Sequence, residues 1–102
     1  MGCITEKQHK ELISILTELI TTIELMETEY KDYLLFQNKR EAKEWLVFLK
    51  NHTDKEELKP LEDEISDRLF YRFDVQIVNT KLDDKRAELM KSYIIKSNEY
   101  LK

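Results

Sequence analysis

Apolar residues recur every three or four positions along four stretches of the chain, which is the spacing of one face of an α-helix. The first stretch follows Thr5-Glu6-Lys7-Gln8, a capping-box sequence that predicts the start of a helix. This helix is expected to run to about Tyr30, with the following buried face: Leu12, Ile13, Leu16, Leu19, Ile20, Ile23, Met26 and Tyr30.

The second predicted helix covers about Lys31 to Lys50, and its apolar residues are Leu34, Leu35, Trp45, Leu46, Phe48 and Leu49. A loop is expected at residues 51–54, where Thr53 and Glu56 form a second capping-box pair. Pro60 is expected in the first turn of the third helix, where its missing N–H costs little. Apolar residues then step by four along that helix: Leu61, Ile65, Leu69, Phe73 and Ile77.

The third helix also carries apolar residues on its other sides, namely Phe70, Tyr71, Val75 and Val78. Such a helix is normally enclosed by neighbours or by another subunit, so self-association through Phe70, Phe73, Ile77 and Val78 is expected. Thr80 can cap a fourth helix with Asp83 and Asp84 in its first turn. Its predicted buried residues are Leu82, Leu89, Met90, Tyr93, Ile94 and Leu101. The pattern predicts a single all-α domain over residues 1–102, a four-helix bundle with long helices that self-associates.

Composition supports this fold and limits the function. One Gly and one Pro in 102 residues argue against turn-rich all-β folds. No stretch approaches the roughly 20 apolar residues of a membrane span, and no signal peptide is recognisable. A net charge of −4 does not favour nucleic acid as a partner. The lone Cys3 suits a reducing compartment, so a cytoplasmic location is expected.

Two histidines and one glycine leave few catalytic options. Glu6 and His9 have the Glu-x-x-His spacing of di-iron bundles, but such sites need a second pair, which His52 lacks. Both histidines are therefore expected at the solvated surface. The only glycine is Gly2, which excludes a glycine-rich phosphate loop. A histidine phosphotransfer bundle fits the size of the chain, but neither histidine has the small-residue and lysine surroundings of such a site.

Carboxylates are the remaining candidates. Glu41 and Glu44 form an E-x-x-E pair, and Glu64 and Asp67 form an E-x-x-D pair. At this spacing both acids of a pair point roughly the same way. Chance alone predicts about 1.9 E-x-x-E matches in such an acidic chain, so the bare motif carries little information. Two pairs on facing helices would nevertheless suit Mg²⁺, a hard ion that prefers oxygen ligands.

The position of Glu41 adds to the motif. Counting about 100° per residue, Glu41 falls within about 20° of Leu34 and Phe48, on the face that this helix is expected to bury. An acid there is costly unless a cation or hydrogen bonds satisfy it, which makes Glu41 a candidate site residue.

In these motifs the chain resembles the MazG-like, all-α nucleoside triphosphate pyrophosphohydrolases. That family pairs an E-x-x-E with an E-x-x-D on the next helix, and here 19 residues separate Glu44 from Glu64. The segment Asp67-Arg68-Leu69-Phe70-Tyr71 is similar to the family's D-x-L-x-Y, and the resemblance covers roughly Tyr33 to Tyr100. The chain departs from the family pattern at four positions: Arg40, Lys43, Arg68 and Arg72.

The resemblance implies hydrolysis of an NTP or dNTP to the monophosphate and pyrophosphate. It implies that Glu41, Glu44, Glu64 and Asp67 hold Mg²⁺ or Mn²⁺ and serve as the catalytic set, and that the chain forms a homodimer or homotetramer. Lys91 and Lys96 are the candidates for binding the substrate phosphates. The alternative is a non-catalytic helical adaptor or inhibitor that acts through protein–protein contacts, in which case the acids are ordinary surface charges.

Overall fold

A computed structural model of the chain describes residues 2–29, 33–68 and 80–102. These ranges contain four α-helices: α1 (Glu6–Glu29), α2 (Tyr33–Asn51), α3 (Lys55–Arg68) and α4 (Thr80–Tyr100). They also contain one isolated antiparallel bridge, between Cys3 and Asp54. The all-α prediction is confirmed for the described part of the chain, and the oligomeric state stays a prediction.

The start of α1 is the predicted capping box. Gln8 N–H donates to Thr5 Oγ1 at 3.1 Å, and Thr5 N–H donates back to Gln8 Oε1 at 3.0 Å. The helix buries Leu12, Leu16, Leu19, Ile20, Thr22, Ile23 and Met26. Its predicted face is therefore confirmed up to Met26 except for Ile13, which is only partly buried against the core. Tyr30 lies outside the described residues.

The face that α2 buries is not the face of Leu34 and Phe48, on which the helical period placed Glu41. Its most buried residues are Leu35, Asn38, Ala42, Trp45 and Leu49. Phe48, by contrast, is 36% exposed, and the side chain of Leu34 lies outside the description. The sequence offers two apolar rows one residue apart, about 100° from each other on the helix. Burial selects the row of Leu35 and Leu49.

The start of α3 corrects two predictions. Asp54, not Thr53, caps the helix: its Oδ1 accepts from the N–H groups of Glu56 at 2.8 Å and Glu57 at 3.3 Å. The N–H of Lys55 donates to the Gly2 carbonyl at 3.0 Å. Because α3 begins at Lys55, Pro60 lies inside the helix and not in its first turn.

The remaining prediction for the third helix concerns residues outside the description. The positions Leu69, Phe70, Tyr71, Phe73, Val75, Ile77 and Val78, with the proposed self-association through them, cannot be compared with the described ranges. The same is true of the cap by the Thr80 side chain. In α4 the buried residues are Asp83, Arg86, Met90, Tyr93, Ile94 and Ser97.

One hydrophobic core contains residues from all four helices together with Ile4. Helix α1 packs against both α2 and α4, and α3 packs against α4. The segment before α1 is held by two backbone hydrogen bonds, one of which runs from Ile4 N–H to the Thr53 carbonyl at 2.9 Å. Within the described ranges, no helix has both the length and the apolar character that crossing a membrane requires.

Candidate functional site

A groove of about 270 Å³ lies between α2 and α3. Its lining residues come from both helices: Glu44, Trp45 and Phe48 from α2, and Pro60, Leu61 and Glu64 from α3. Glu44 belongs to the E-x-x-E pair and Glu64 to the E-x-x-D pair. The two acidic motifs therefore face the same groove, as a joint site would require. We call this feature the α2–α3 groove.

The other two motif acids do not line the α2–α3 groove. Glu41 is half-buried with one carboxylate oxygen enclosed, whereas Asp67 is exposed on α3. Residues three apart on a helix still differ by about 60° in direction, so one member of a pair can face a groove without the other. No group of three or more His, Cys, Asp or Glu side chains that could hold a metal ion occurs in the ranges described. The four-carboxylate magnesium site stays a prediction.

The two lysines expected to bind phosphate lie elsewhere on the molecule. Lys91 is exposed on α4. Lys96 is half-buried, with its Nζ 3.5 Å from Glu11 Oε2 on α1. Among the side chains that the structure describes, those lining the α2–α3 groove include no lysine or arginine.

One wall of the groove is held by a histidine at the end of α2. The rings of Phe48 and His52 stack with centroids 4.0 Å apart and an interplanar angle of 13°. His52 Nδ1 donates to the Phe48 carbonyl at 2.8 Å. His9 donates from Nε2 to the Leu49 carbonyl at 2.6 Å and is half-buried. Both histidines are half-buried and have structural contacts, so neither is the fully solvated residue that was expected.

The electrostatics of the groove come from Glu44 and Glu64. Both are exposed, and neither makes an ion pair with a residue in the described part of the chain. Beside them lie the indole of Trp45 and the ring of Phe48. A rim of carboxylates over aromatic faces attracts cations, by charge and by cation–π interaction. Sequence reasoning included the acids but missed the aromatic lining, because Trp45 and Phe48 read as ordinary core residues.

Sequence reasoning also missed a buried ion pair on α4. Arg86 is fully buried, and its Nε lies 3.0 Å from Asp83 Oδ1, which is buried as well. Its Nη1 lies 3.3 Å from the sulfur of Met90. The signal was present in the spacing, because Asp83, Arg86, Met90 and Tyr93 follow one another at three or four residues.

Two pairs of side chains with shifted pKa values lie at contacts between helices, away from the groove. Tyr100 donates to Glu11, and this hydrogen bond lowers the pKa of Glu11 and raises that of Tyr100 to about 12. Burial on α3 raises the pKa of Glu62, and burial together with the Glu62 charge raises the pKa of Tyr93. Because both pairs sit where α4 meets another helix, they belong to the packing of the bundle.

Comparison with known proteins found no family model, curated protein or solved structure that matches this chain. The class of protein is thus defined by the fold and the groove alone: an all-α helical protein with an acidic, aromatic-lined groove between α2 and α3. The resemblance to the MazG-like pyrophosphohydrolases stays a prediction.

Proposed function

We propose that this protein is a non-catalytic helical binding protein, an adaptor or inhibitor, that receives a cationic side chain of a partner protein in the α2–α3 groove. The observation that carries the proposal is the pairing of Glu44 and Glu64 across a groove lined by Trp45 and Phe48. Arginine is the side chain that best combines charge with stacking on an aromatic face.

The size of the groove favours a side chain over a nucleotide. Its volume is about 270 Å³, whereas small-molecule sites commonly measure roughly 300–1,000 Å³. Protein interfaces are enriched in arginine and aromatic residues, which dominate their binding energy. An arginine flanked by apolar residues would place its guanidinium between the two carboxylates and its aliphatic stem against Leu61 and Phe48.

The sole tryptophan of the chain provides the measurement, because Trp45 lines the groove. The protein is titrated with an amphipathic peptide of alternating arginine and leucine while tryptophan fluorescence is recorded. We expect a saturable change that weakens at high salt, since an exposed charge contact is screened. The double substitution Glu44→Gln with Glu64→Gln should weaken peptide binding at least about tenfold, the loss expected for a charged hydrogen-bond pair.

Two controls separate specific binding from general attraction to an acidic protein. Glu24→Gln removes an exposed acid from α1, outside the groove, and should leave the affinity unchanged. A peptide with glutamine in place of arginine should not produce the change. Equal losses for Glu24→Gln and for the groove variant would show that the peptide only follows net charge, and the proposal would then fail.

A second candidate is the Mg²⁺-dependent nucleoside triphosphate pyrophosphohydrolase that the sequence resembles. One specific observation favours it: each acidic motif contributes a carboxylate, Glu44 or Glu64, to the same groove. Mg²⁺ is often held by one or two carboxylates together with waters and substrate phosphates. Glu44 and Glu64 would hold the ion, which would polarise phosphate oxygens and activate a water.

A panel of NTPs and dNTPs, assayed for pyrophosphate release with Mg²⁺ or Mn²⁺, decides between the two candidates. The binding proposal predicts no release above a blank. It also predicts that millimolar Mg²⁺ leaves the melting temperature unchanged, because two carboxylates alone hold the ion too weakly to stabilise the fold. Release that disappears in Glu64→Gln would instead establish the hydrolase.

A further inference from the structure

The outer face of α2 carries a row of large apolar side chains in contact with solvent. Tyr33 is 71% exposed, Phe36 49% and Val47 60%. Arg40 and Glu44, also exposed, lie between them on the same face, at spacings of three and four residues. We call the row Tyr33, Phe36, Arg40, Glu44 and Val47 the α2 stripe. Single exposed apolar residues are ordinary, but several aligned on one helix face mark an interaction surface.

The charges at the centre of the α2 stripe are available for an external partner. Arg40 and Glu44 are one helical turn apart, yet neither makes an ion pair within the described ranges. An apolar partner would bury both charges and offer neither a partner beyond the other, which is costly. The surface that fits the α2 stripe must therefore present an acid opposite Arg40 and a base opposite Glu44.

The α2 stripe itself has this arrangement. Arg40 and Glu44 are equally distant from position 42 along α2. In an antiparallel pair of α2 helices centred there, Arg40 faces Glu44 of the second copy on both sides of the two-fold axis. The same register sets Phe36 beside Val47 of the second copy, because these stripe residues lie six and five positions from that centre on opposite sides of it. A parallel pair in register would place Arg40 beside Arg40 and Glu44 beside Glu44, and these like charges would repel.

We propose that a second copy of this chain docks antiparallel along the α2 stripe and forms a two-fold symmetric dimer. A two-fold interface uses the same patch on both subunits, which requires the self-complementarity seen in this row. This inference rests on the exposed face of α2. Because Glu44 belongs to both the α2 stripe and the α2–α3 groove, a docked second copy and a bound partner protein would compete for its carboxylate. A single helix stripe is smaller than the roughly 800 Å² per subunit of a standard interface, so the expected Kd is on the order of 10–100 µM.

Charge exchange across the two-fold axis tests the proposal. Sedimentation equilibrium of the unmodified chain should give a mass rising from 12.4 kDa towards twice that value with concentration. Arg40→Glu sets acid against acid, and Glu44→Arg sets base against base. Each should raise the dimer Kd at least about tenfold. The double variant restores opposite charges in the antiparallel register, so its Kd should return to within about threefold of the original.

The controls make each outcome decisive. Circular dichroism must show the same helix content in every variant compared. Glu64→Gln alters the α2–α3 groove but not the α2 stripe, so it should change peptide binding and leave the dimer intact. A mass of 12.4 kDa at several hundred micromolar would overturn the proposal. The proposal would also fail if neither single charge reversal raised the dimer Kd, or if the double variant did not bring the Kd back towards its original value.

Discussion

At the scale of single residues, Arg86 is a buried charge whose stability depends on the contacts around it. Its guanidinium is fully buried and is paired with the buried carboxylate of Asp83 at 3.0 Å. Removing two charges from water costs several kcal/mol per ion. The attraction between the two ions offsets this cost only when they are well aligned. In the first turn of α4, an exposed Asp83 would interact only with the helix dipole. Its contact with Arg86 places it in the packed interior instead.

Arg86→Ala should therefore destabilise the fold by about 3–5 kcal/mol, because Asp83 would keep a buried charge without this guanidinium. The neighbouring Lys85 is the matched control, since its Nζ lies 3.3 Å from Glu18 in a half-exposed pair. Lys85→Ala should cost less than about 1 kcal/mol. Urea denaturation of both variants gives the comparison. Similar losses would mean that the buried pair contributes no more than a surface one.

At the scale of elements, the backbone N–H groups in the first turn of α3 donate to two separate parts of the chain, Asp54 and Gly2. The Asp54 side chain accepts from Glu56 and Glu57, the Asp54 carbonyl accepts from Leu58 at 3.0 Å, and the Gly2 carbonyl accepts from Lys55. This start lies ahead of Pro60, which has no N–H to continue the helical pattern at its position. The cap and the packing of α3 therefore hold the helix together across the proline.

Asp54→Ala should lower the free energy of unfolding by about 1 kcal/mol, the usual cost of losing a side-chain cap. Thr53→Ala, one residue earlier, should change it by less than about 0.5 kcal/mol, because the exposed Thr53 contributes its carbonyl and not its side chain to the contact with Ile4. Chemical denaturation distinguishes the two. The assignment of the cap would be wrong if Thr53→Ala proved the more harmful change.

At the scale of the whole molecule, the first and last helices are joined by a hydrogen bond between side chains 89 residues apart. Tyr100 donates to Glu11, and Lys96 lies 3.5 Å from the same carboxylate. These contacts favour the charged form of Glu11 and lower its pKa in the folded state. A carboxyl with a lowered folded-state pKa stabilises the fold above its unfolded pKa and loses that contribution as the pH falls.

Tyr100→Phe should therefore lower the melting temperature at pH 7, and the difference from the unmodified chain should narrow as the pH falls below about 4.5. Thermal melts across that pH range, at low micromolar concentration to keep the chain monomeric, provide the test. Tyr33→Phe is the control, because Tyr33 is exposed on α2. A difference that stays constant down to pH 3 would rule out Glu11 as the acceptor that matters.

The sequence by itself determined the helical class and much of α1. The period of its apolar residues leaves one face to bury, and the Thr5–Gln8 capping box needs only residues three apart. Local chemistry decides such features, so local patterns predict them. For the acidic motifs the sequence located the residues, but a spacing of three could not say which acid of each pair would face a neighbouring helix.

Only the tertiary structure decided the features with two equivalent local solutions. In α2 the row of Leu35 and Leu49 competes with an apolar row one residue away, and burial against the rest of the core selects between them. At α3, Thr53 and Asp54 are both good caps, and the pairing of residues 2–4 with residues 53–55 accompanies the choice of Asp54. The face that α2 buries in turn determines what its other side exposes. The α2–α3 groove and the α2 stripe are consequences of that packing, and the helical period alone does not contain them.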